Sequence, residues 1–389
     1  MRRISIETLK PGMMLGLPIR DENDNLLLNR NVVLTERYIM RLRNLGFQSV
    51  YISDPDLLDV AFEDMISNRT RSMAAKHLNY TYREVENIIR DFKNESIEKI
   101  TTNLRSKAVK KAFSSTGIYN ITVKVVNKII DDVVSCAALN GLNSLKTHDN
   151  YTFNHSIEVT IVSVMIGKKL RLNARQLRDM AIGCLLHDVG KVFIPAHILN
   201  KPDKLTSHEF ELVKEHPTLG YEMLRDYIPI MPTQITYQHH ERQDGSGYPR
   251  GLAGYNSIKR LSSKNQITFY GEIVAIADVY DALISDRPYR TGLLHDRVLN
   301  IIEHNAHSHF NAEIVDKFLS IVPSYPVGST CEVTSGKYMG YRGVIVSLDE
   351  NNLNIPKVRL LYDTKEDRIK PINIDLQKEY DTHIKLVES

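Results

Sequence analysis

Leu185-Leu186-His187-Asp188-Val189-Gly190-Lys191 is the segment from which the organisation of this chain of 389 residues can be worked out. It follows the apolar run 181–184, which predicts a buried helix, and Gly190 is expected to end that helix in a left-handed conformation. The helix then presents an imidazole and a carboxylate side by side. These groups suit a divalent cation such as iron or manganese, although an isolated pair is weak evidence.

Further ligand-type side chains occur on both sides of this segment, each at the end or on one face of a predicted helix. His239 and His240 lie about 100° apart around a helix, so they can face two ions or one ion from two sides. Asp278 follows the apolar run 273–277, where an unpaired carboxylate would be costly. The full candidate set is His155, His187, Asp188, His216, His239, His240 and Asp278.

With Asp188 as a bridge and the others as single donors, this set supplies about eight contacts to metal. Two octahedral ions need about twelve, which leaves roughly four positions for a bridging hydroxide and a substrate. The sequence therefore predicts a hydrolytic site with two divalent ions, iron or manganese.

The composition limits the classes of partner. The chain is 42% hydrophobic and 25% charged, with a formal net charge of +3, which is too mild to predict binding to a DNA or RNA polymer or to a membrane. Three widely spaced cysteines do not predict a disulfide framework. No apolar run reaches the ~18 residues of a membrane helix. We therefore expect a cytoplasmic protein.

Hydrophobic patterning predicts a multidomain, mainly α chain in four parts. Residues 1–58 are expected to form a small α+β module, and residues 59–149 a helical connector with apolar side chains at helical spacing. Residues 150–323 are predicted to be the helical part that carries the chemistry. Residues 324–389 alternate in the manner of strands and are expected to form a small barrel-like β domain. A coiled-coil arm within 59–149, and with it a homodimer, is left open.

Several motifs occur in a fixed order within residues 150–323. The segment 187–191 is followed by His239-His240-Glu241, by Asp244-Gly245-Ser246-Gly247-Tyr248-Pro249 and by the acidic and basic segments 278–283 and 286–290. Together they resemble the HD-GYP family, a branch of the HD phosphohydrolase superfamily that hydrolyses cyclic di-GMP. The resemblance implies an all-helical catalytic domain with metal ligands at the seven positions above.

The resemblance also implies a function. We expect a metal-dependent phosphodiesterase of second-messenger signalling that converts cyclic di-GMP to linear pGpG; further hydrolysis to GMP and action on other cyclic dinucleotides are left open. Asp188 and Lys191 are the predicted catalytic residues. The implied contacts to substrate are made by cationic side chains and by the loop at the pocket mouth, namely Lys191, Arg287, Arg290, Gly247, Tyr248 and Pro249.

The role of Asp281 has two interpretations, because it lies three residues after Asp278 on the same helical face. It can accept a proton at the substrate, or it can orient a ligand histidine through a hydrogen bond.

The sequence also departs from the family pattern. Members with a third metal carry a glutamate where this chain has Tyr151, so we expect two ions. The connection 255–267 is longer than usual and is expected to be a solvated loop, with a basic lid as the alternative.

A second class of function has to be weighed against the enzyme. A receptor of the same fold would bind a cyclic dinucleotide and signal through the flanking domains without turnover. Degenerate receptors normally lose metal ligands, whereas this chain keeps all of them, so the enzyme is favoured. A nucleotidase acting on mononucleotides is disfavoured by residues 247–249 and 287–290.

Overall fold

The structure is a computed structural model. It describes residues 1–20, 26–60, 64–136, 138–139, 151–201, 203–259, 263–285, 292–349 and 352–387. Arg287 and Arg290 lie outside the described residues, as do residues 260–262 of the long connection. Tyr151 belongs to a helix, but its side chain also lies outside the described part.

The N-terminal part is a small α/β unit, as predicted. Its elements are β1 (Arg2–Ser5), β2 (Met14–Leu15), β3 (Ile19–Arg20), β4 (Leu26–Leu28), α1 (Glu36–Asn44) and β5 (Ser49–Ser53). The antiparallel sheet has the order β1-β5-β2, and β3 pairs with β4. Thr35 caps α1 by accepting a hydrogen bond from the backbone nitrogen of Tyr38. The apolar faces of the sheet and of α1 form their own core.

A mainly helical body follows. Its helices are α2 (Asn68–Ile89), α3 (Ile97–Leu104), α4 (Lys107–Ser115), α5 (Ile118–Val134), α6 (Tyr151–Lys169), α7 (Ala174–Leu186), α8 (Ala196–Leu199), α9 (Ser207–Val213), α10 (His216–Leu224), α11 (Ile230–Gln238), α12 (Phe269–Ile284), α13 (His295–His304) and α14 (Ala312–Leu319). In the centre, α6 packs against α7 and α12, and α11 packs against α7.

One apolar core runs through this body from Met65 to Val322. It includes the buried faces of α2 and α5, which were predicted to belong to the helical connector. The connector helices and the helices of the predicted catalytic part therefore share one core, and the boundary at 149/150 stays a prediction.

The C-terminal part is an antiparallel sheet of five strands with the order β10-β6-β7-β8-β9. The strands are β6 (Thr330–Val333), β7 (Arg342–Leu348), β8 (Pro356–Tyr362), β9 (Arg368–Asp375) and β10 (Ile384–Leu386). The predicted barrel is wrong in this respect, because β9 and β10 lie at opposite edges and do not pair within the described residues. All three residues of β10 pair with β6 instead, in an antiparallel register.

The C-terminal sheet packs against residues 54–60, the segment that follows β5. Arg359 reaches from β8 to Asp59 with both terminal nitrogens, at 2.6 and 2.8 Å from the carboxylate oxygens. Arg368 of β9 donates to the carboxylates of Asp54 and Asp56. Beside these ion pairs, a small apolar cluster joins the segment after β5 to the sheet, formed by Leu57, Val60, Val344 and Leu361. Polar and apolar contacts together hold the C-terminal sheet against residues 54–60.

Arg368→Ala is predicted to lower the free energy of unfolding by about 1–3 kcal/mol near neutral pH, because it removes a charged partner from the buried Asp54. Burial acts to raise the pKa of Asp54, but hydrogen bonds from Arg368 and from the nitrogen of Asp56 hold it below the usual value. The contribution is therefore present above about pH 3.9 and is lost as the pH falls below it. Denaturant unfolding at neutral and acid pH measures this dependence.

The matched control is Arg342→Ala, whose partners Glu366 and Glu332 have side chains that are 69% and 22% exposed. This change should cost no more than about 0.5 kcal/mol. Equal effects of the two substitutions at neutral pH would contradict the role given to Arg368.

None of the helices in the described part of the chain combines the length and the apolar content needed to cross a membrane.

Candidate metal centre

Five helices bring the predicted ligands to one place. His155 lies in α6, Asp278 lies in α12, and His216 is the first residue of α10. His187 and Asp188 follow the end of α7, and His239 and His240 follow the end of α11. All seven predicted metal ligands therefore converge, and six of them are buried; His240 is half-buried, with a side chain that is 25% exposed.

Three of the histidines are oriented in the same way. In each, the Nδ1–H group donates to the backbone carbonyl three residues earlier, and a carbonyl can only accept. The distances are 2.7 Å from His187 to Cys184, 2.6 Å from His216 to Val213 and 2.9 Å from His239 to Thr236. This arrangement places the proton on Nδ1 and turns the lone pair of Nε2 toward the cluster.

The ligand atoms form two groups, one of His155, His187 and Asp188 and one of His216, His239 and His240, each with its atoms within 4.8 Å of one another. Asp188 lies between them. Its Oδ2 is 3.4 Å from Nε2 of His187, and its Oδ1 is 3.4 Å from Nε2 of His216. One carboxylate therefore presents one oxygen to each group.

Several atoms in the cluster lack a hydrogen-bond partner among the described residues. Nε2 of His187 and Oδ1 of Asp188 are buried without one. Nε2 of His216 and Nε2 of His239 are 3.2 Å apart, and both carry lone pairs in the tautomers set by their carbonyl partners. Converging lone pairs that cannot donate to one another are costly when buried. This donor set fits divalent cations, which would satisfy these atoms together.

The contacts of Asp281 bear on the two interpretations of its role, as a proton acceptor at the substrate or as a residue that orients a ligand histidine. Its Oδ2 lies 2.7 Å from Nδ1 of His155, and its Oδ1 accepts from the hydroxyl of Ser285. The residue is 1% exposed, so a substrate could not reach it without displacing these partners. The geometry favours the other interpretation, in which Asp281 orients a histidine. On its other side, Nε2 of His155 is 3.0 Å from Asp278.

The electrostatics separate His155 from the other histidines. Burial lowers the pKa of His240 to about 3, and burial with repulsion from His240 holds the pKa of His239 well below its usual range. Burial also acts on His155, but hydrogen bonds with Asp278 and Asp281 outweigh it and raise its pKa to about 9. Burial works against the charge of Asp188 as well, yet His187 and Lys191 hold the pKa of Asp188 well below its usual value.

Lys191 belongs to this cluster through its side chain. The ammonium lies 2.6 Å from Oδ2 of Asp188, and the side chain is 26% exposed. An ammonium has three N–H donors, so this contact leaves two of them for a ligand.

The described geometry can be set beside known proteins. A sequence profile of the HD domain family matches residues 125–314. The chain contains an HD domain. The resemblance stated from the motifs is thereby confirmed at the level of the family. A second profile, described as the KOW motif, matches residues 327–360 and covers β6, β7 and most of β8.

The relatives of the HD domain include named phosphodiesterases. Cyclic di-GMP phosphodiesterase PA4108 of Pseudomonas aeruginosa is 36% identical over 231 residues, which cover 59% of this chain and 52% of that protein. A cyclic di-GMP phosphodiesterase of Thermotoga maritima is also 36% identical, over 46% of this chain and 47% of its own length. The 3'3'-cGAMP-specific phosphodiesterase 1 of Vibrio cholerae is 34% identical, over 45% of this chain and 38% of that protein.

The chain thus spans about half the length of each of the first two relatives. Among solved structures, Bd1817, described as an HDG"Y"P protein from Bdellovibrio bacteriovorus, matches 82% of this chain and 98% of that one, with a TM-score of 0.43 and 17% identity.

In the HD domain, the predicted pocket loop lies directly over His240. The backbone nitrogen of Tyr248 donates to the carbonyl of His240, and the two rings are 4.7 Å apart. Gly247 passes so close to the chain that a Cβ would come within 2.5 Å of the nitrogen of Arg242. Glu241 accepts backbone hydrogen bonds from residues 250 and 252 and so closes the loop. The loop is held by main-chain contacts, and the Tyr248–Pro249 peptide bond is cis.

Gly190 was predicted to end α7 in a left-handed conformation. This prediction is wrong. The helix ends at Leu186, and Gly190 lies within a 3-10 helix, Val189–Phe193. A Cβ on Gly190 would lie 2.0 Å from the carbonyl oxygen of His216. The glycine therefore allows the backbone after Asp188 to touch the start of α10, and this contact brings the two ligand groups together.

Two contacts from α2 reach the site and were missed from the sequence. The hydroxyl of Tyr82 donates to the backbone carbonyl of Asp188 at 3.1 Å. Arg71 pairs with Glu158 at 2.7 Å, one helical turn after His155. Tyr82 and Asp188 are 106 residues apart in the sequence, so no local pattern could have indicated the contact.

The long connection is anchored at both of its described ends. Asn256 bonds to Gln243 and accepts from the nitrogen of Ala312, and the nitrogen of Ile267 donates to the carbonyl of Ala253.

Gly190→Ala is predicted to displace His216, because the new methyl group would overlap its carbonyl oxygen. We expect a loss of about 3 kcal/mol in the free energy of unfolding and a lower content of bound metal. Elemental analysis and denaturant unfolding of the purified variant measure the two effects.

Gly117→Ala is the control. A Cβ there meets no described atom within 4 Å, although φ is +68°. It should cost about 1 kcal/mol and leave the metal content unchanged. Normal metal content in Gly190→Ala would contradict the role assigned to this contact.

Proposed function

We propose that this chain hydrolyses cyclic di-GMP to linear pGpG with the help of two divalent ions, iron or manganese. The observation that carries the proposal is the pair of ligand groups joined by the two oxygens of Asp188. The names of the relatives support the substrate, since PA4108 and the Thermotoga maritima protein are called cyclic di-GMP phosphodiesterases.

The two ions, when bound, would supply activation of water and charge neutralisation at the scissile phosphodiester. The chain's own task is to present the donors. His187, His216 and His239 offer Nε2, Asp188 offers one oxygen to each group, and Asp281 orients His155. Because these side chains are locked by carbonyl or carboxylate partners, little reorganisation is needed on binding.

Lys191 would hold the phosphate. Its ammonium lies beside Asp188 and its side chain is 26% exposed, so it can donate to a phosphoryl oxygen whose charge rises during attack. Tyr248, with Gly247 and Pro249, forms the wall next to His240. Arg287 and Arg290 are proposed, from the family resemblance alone, to bind the rest of the dinucleotide through charge-assisted hydrogen bonds.

A second substrate is favoured by a specific observation. Two relatives from Vibrio cholerae are named 3'3'-cGAMP-specific phosphodiesterases, at 34% and 28% identity. The hybrid dinucleotide is therefore the competing substrate. The silent receptor is less well supported, because the ligand groups are complete and no predicted ligand is replaced or turned away.

The test of the function is direct. The full chain is loaded anaerobically with iron or manganese and incubated with cyclic di-GMP, with 3'3'-cGAMP and with cyclic di-AMP, and the products are separated. Conversion of cyclic di-GMP to pGpG is expected. Binding without turnover under both metals would support the receptor and contradict the enzyme.

Asp188→Ala is predicted to reduce bound metal from about two ions per chain to less than one and to abolish hydrolysis, because one residue serves both groups. Elemental analysis gives the stoichiometry, and circular dichroism reports whether the fold is retained. The control is Asp179→Ala in α7, the helix that precedes Asp188; the partner of Asp179, Arg175, is 83% exposed. Two bound ions in Asp188→Ala would refute the shared carboxylate.

Lys191→Ala and the double variant Arg287→Ala with Arg290→Ala are predicted to fail differently. Loss of Lys191 should mainly lower kcat, because its contact strengthens as charge develops. Loss of the two arginines should mainly weaken binding, by about 1–3 kcal/mol for each contact, or roughly ten- to a hundredfold. Steady-state kinetics beside equilibrium binding separates the effects.

Lys204→Ala, at an exposed position, is the control for removal of a positive charge. The opposite pattern, with weak binding in the lysine variant and slow turnover in the arginine variant, would reverse the assignments.

A further inference from the structure

The short helix α9 is held in place by polar contacts. None of its residues is buried. Its first turn is fixed by a capping box, in which Thr206 and Glu209 bond to each other's backbone nitrogens. Glu209 is also bound by the ammonium of Lys201 at 2.7 and 2.9 Å. These polar contacts hold the first turn of the helix independently of the ring of Phe210.

Phe210 is the most exposed apolar side chain of α9, at 46%, whereas Leu212 and Val213 are half-buried. Its ring lies edge to face with the ring of Tyr248, with centroids 6.3 Å apart. The ammonium of Lys214 lies 5.4 Å from the centroid of Phe210 and is paired with Glu211. A cation over an aromatic face is attracted by the ring quadrupole, so Lys214 restricts the orientation of Phe210.

The rings continue inward to the ligand cluster. Tyr248 lies 4.7 Å from the ring of His240, and His240 lies 4.1 Å from the ring of His239. An aromatic surface therefore begins at the proposed metal site and ends at the exposed ring of Phe210. A phosphodiester held at the cluster would carry its nucleosides outward along this wall.

We propose that Phe210, positioned by Lys214, forms with Tyr248 a platform on which a nucleobase of the cyclic dinucleotide is bound. The proposal rests on the proposed function and adds to it the residue that recognises the base. Planar bases stack on exposed aromatic rings whatever their hydrogen-bonding edge. The platform therefore contributes affinity for purine dinucleotides in general, and choice between guanine and adenine is left to other groups.

The test compares ligands with and without a base on the metal-loaded full chain. Phe210→Ala should weaken equilibrium binding of cyclic di-GMP and of GMP by roughly ten- to a hundredfold. Binding of ribose 5-phosphate, which has no base, should be unchanged. In kinetics the change should appear in KM, with kcat close to that of the wild type. Phe210→Trp should restore binding of both nucleotides.

The matched control is Ile230→Ala, which truncates a large apolar side chain that is 69% exposed on another helix of the same domain. It should change none of these constants. Metal content of Phe210→Ala should equal that of the wild type, because the ring contacts no predicted ligand directly.

Three results would overturn the proposal. Unchanged affinity of Phe210→Ala for cyclic di-GMP would remove the platform while the proposed function stands. Loss of metal, or an equal loss of ribose 5-phosphate binding, would show that Phe210 only supports the loop. A wild-type protein that binds neither GMP nor cyclic di-GMP would refute both the platform and the proposed function.

Discussion

The buried carboxylate of Asp188 is the constraint on which the rest of the structure depends. Its two oxygens face two separate groups of histidine nitrogens, so the ends of α7 and α11, the start of α10 and the second turn of α6 must all meet there. An anion buried at 1% exposure is costly unless charges and donors surround it. Lys191 supplies one such charge, and cations between the lone pairs would supply the rest.

A local hydrogen bond to the backbone orients three of the histidines toward the cluster. At three helix ends, the Nδ1–H group bonds to the carbonyl three residues earlier, in the last turn of the helix, where carbonyls are short of backbone donors. The same bond satisfies the helix end and directs Nε2 to the cluster. His155 lies inside a helix, where such carbonyls are occupied, and it depends on Asp281 from another helix instead.

The flanking parts are physically continuous with the site. The C-terminal sheet holds residues 54–60 through Arg359 and Arg368, and α2 begins shortly after that segment. Along α2, Arg71 bonds beside His155, and Tyr82 bonds to the carbonyl of Asp188. The helix α2 therefore connects the segment 54–60, which the C-terminal sheet holds, to residues that bond at the ligand groups.

The sequence by itself determined the kind of site and the kind of fold. Helical and strand periodicities are local, and the ligands sit at helix ends in motifs whose order could be recognised, so the helical HD domain and its α/β and sheet flanks were predictable. Only the tertiary structure decided that Gly190 serves a backbone contact, that Asp281 binds His155 and that Phe210 meets Tyr248. The same holds for Arg359 and Asp59, 300 residues apart. Such contacts join distant segments through packing, and periodicity carries no information about which distant segments pack together.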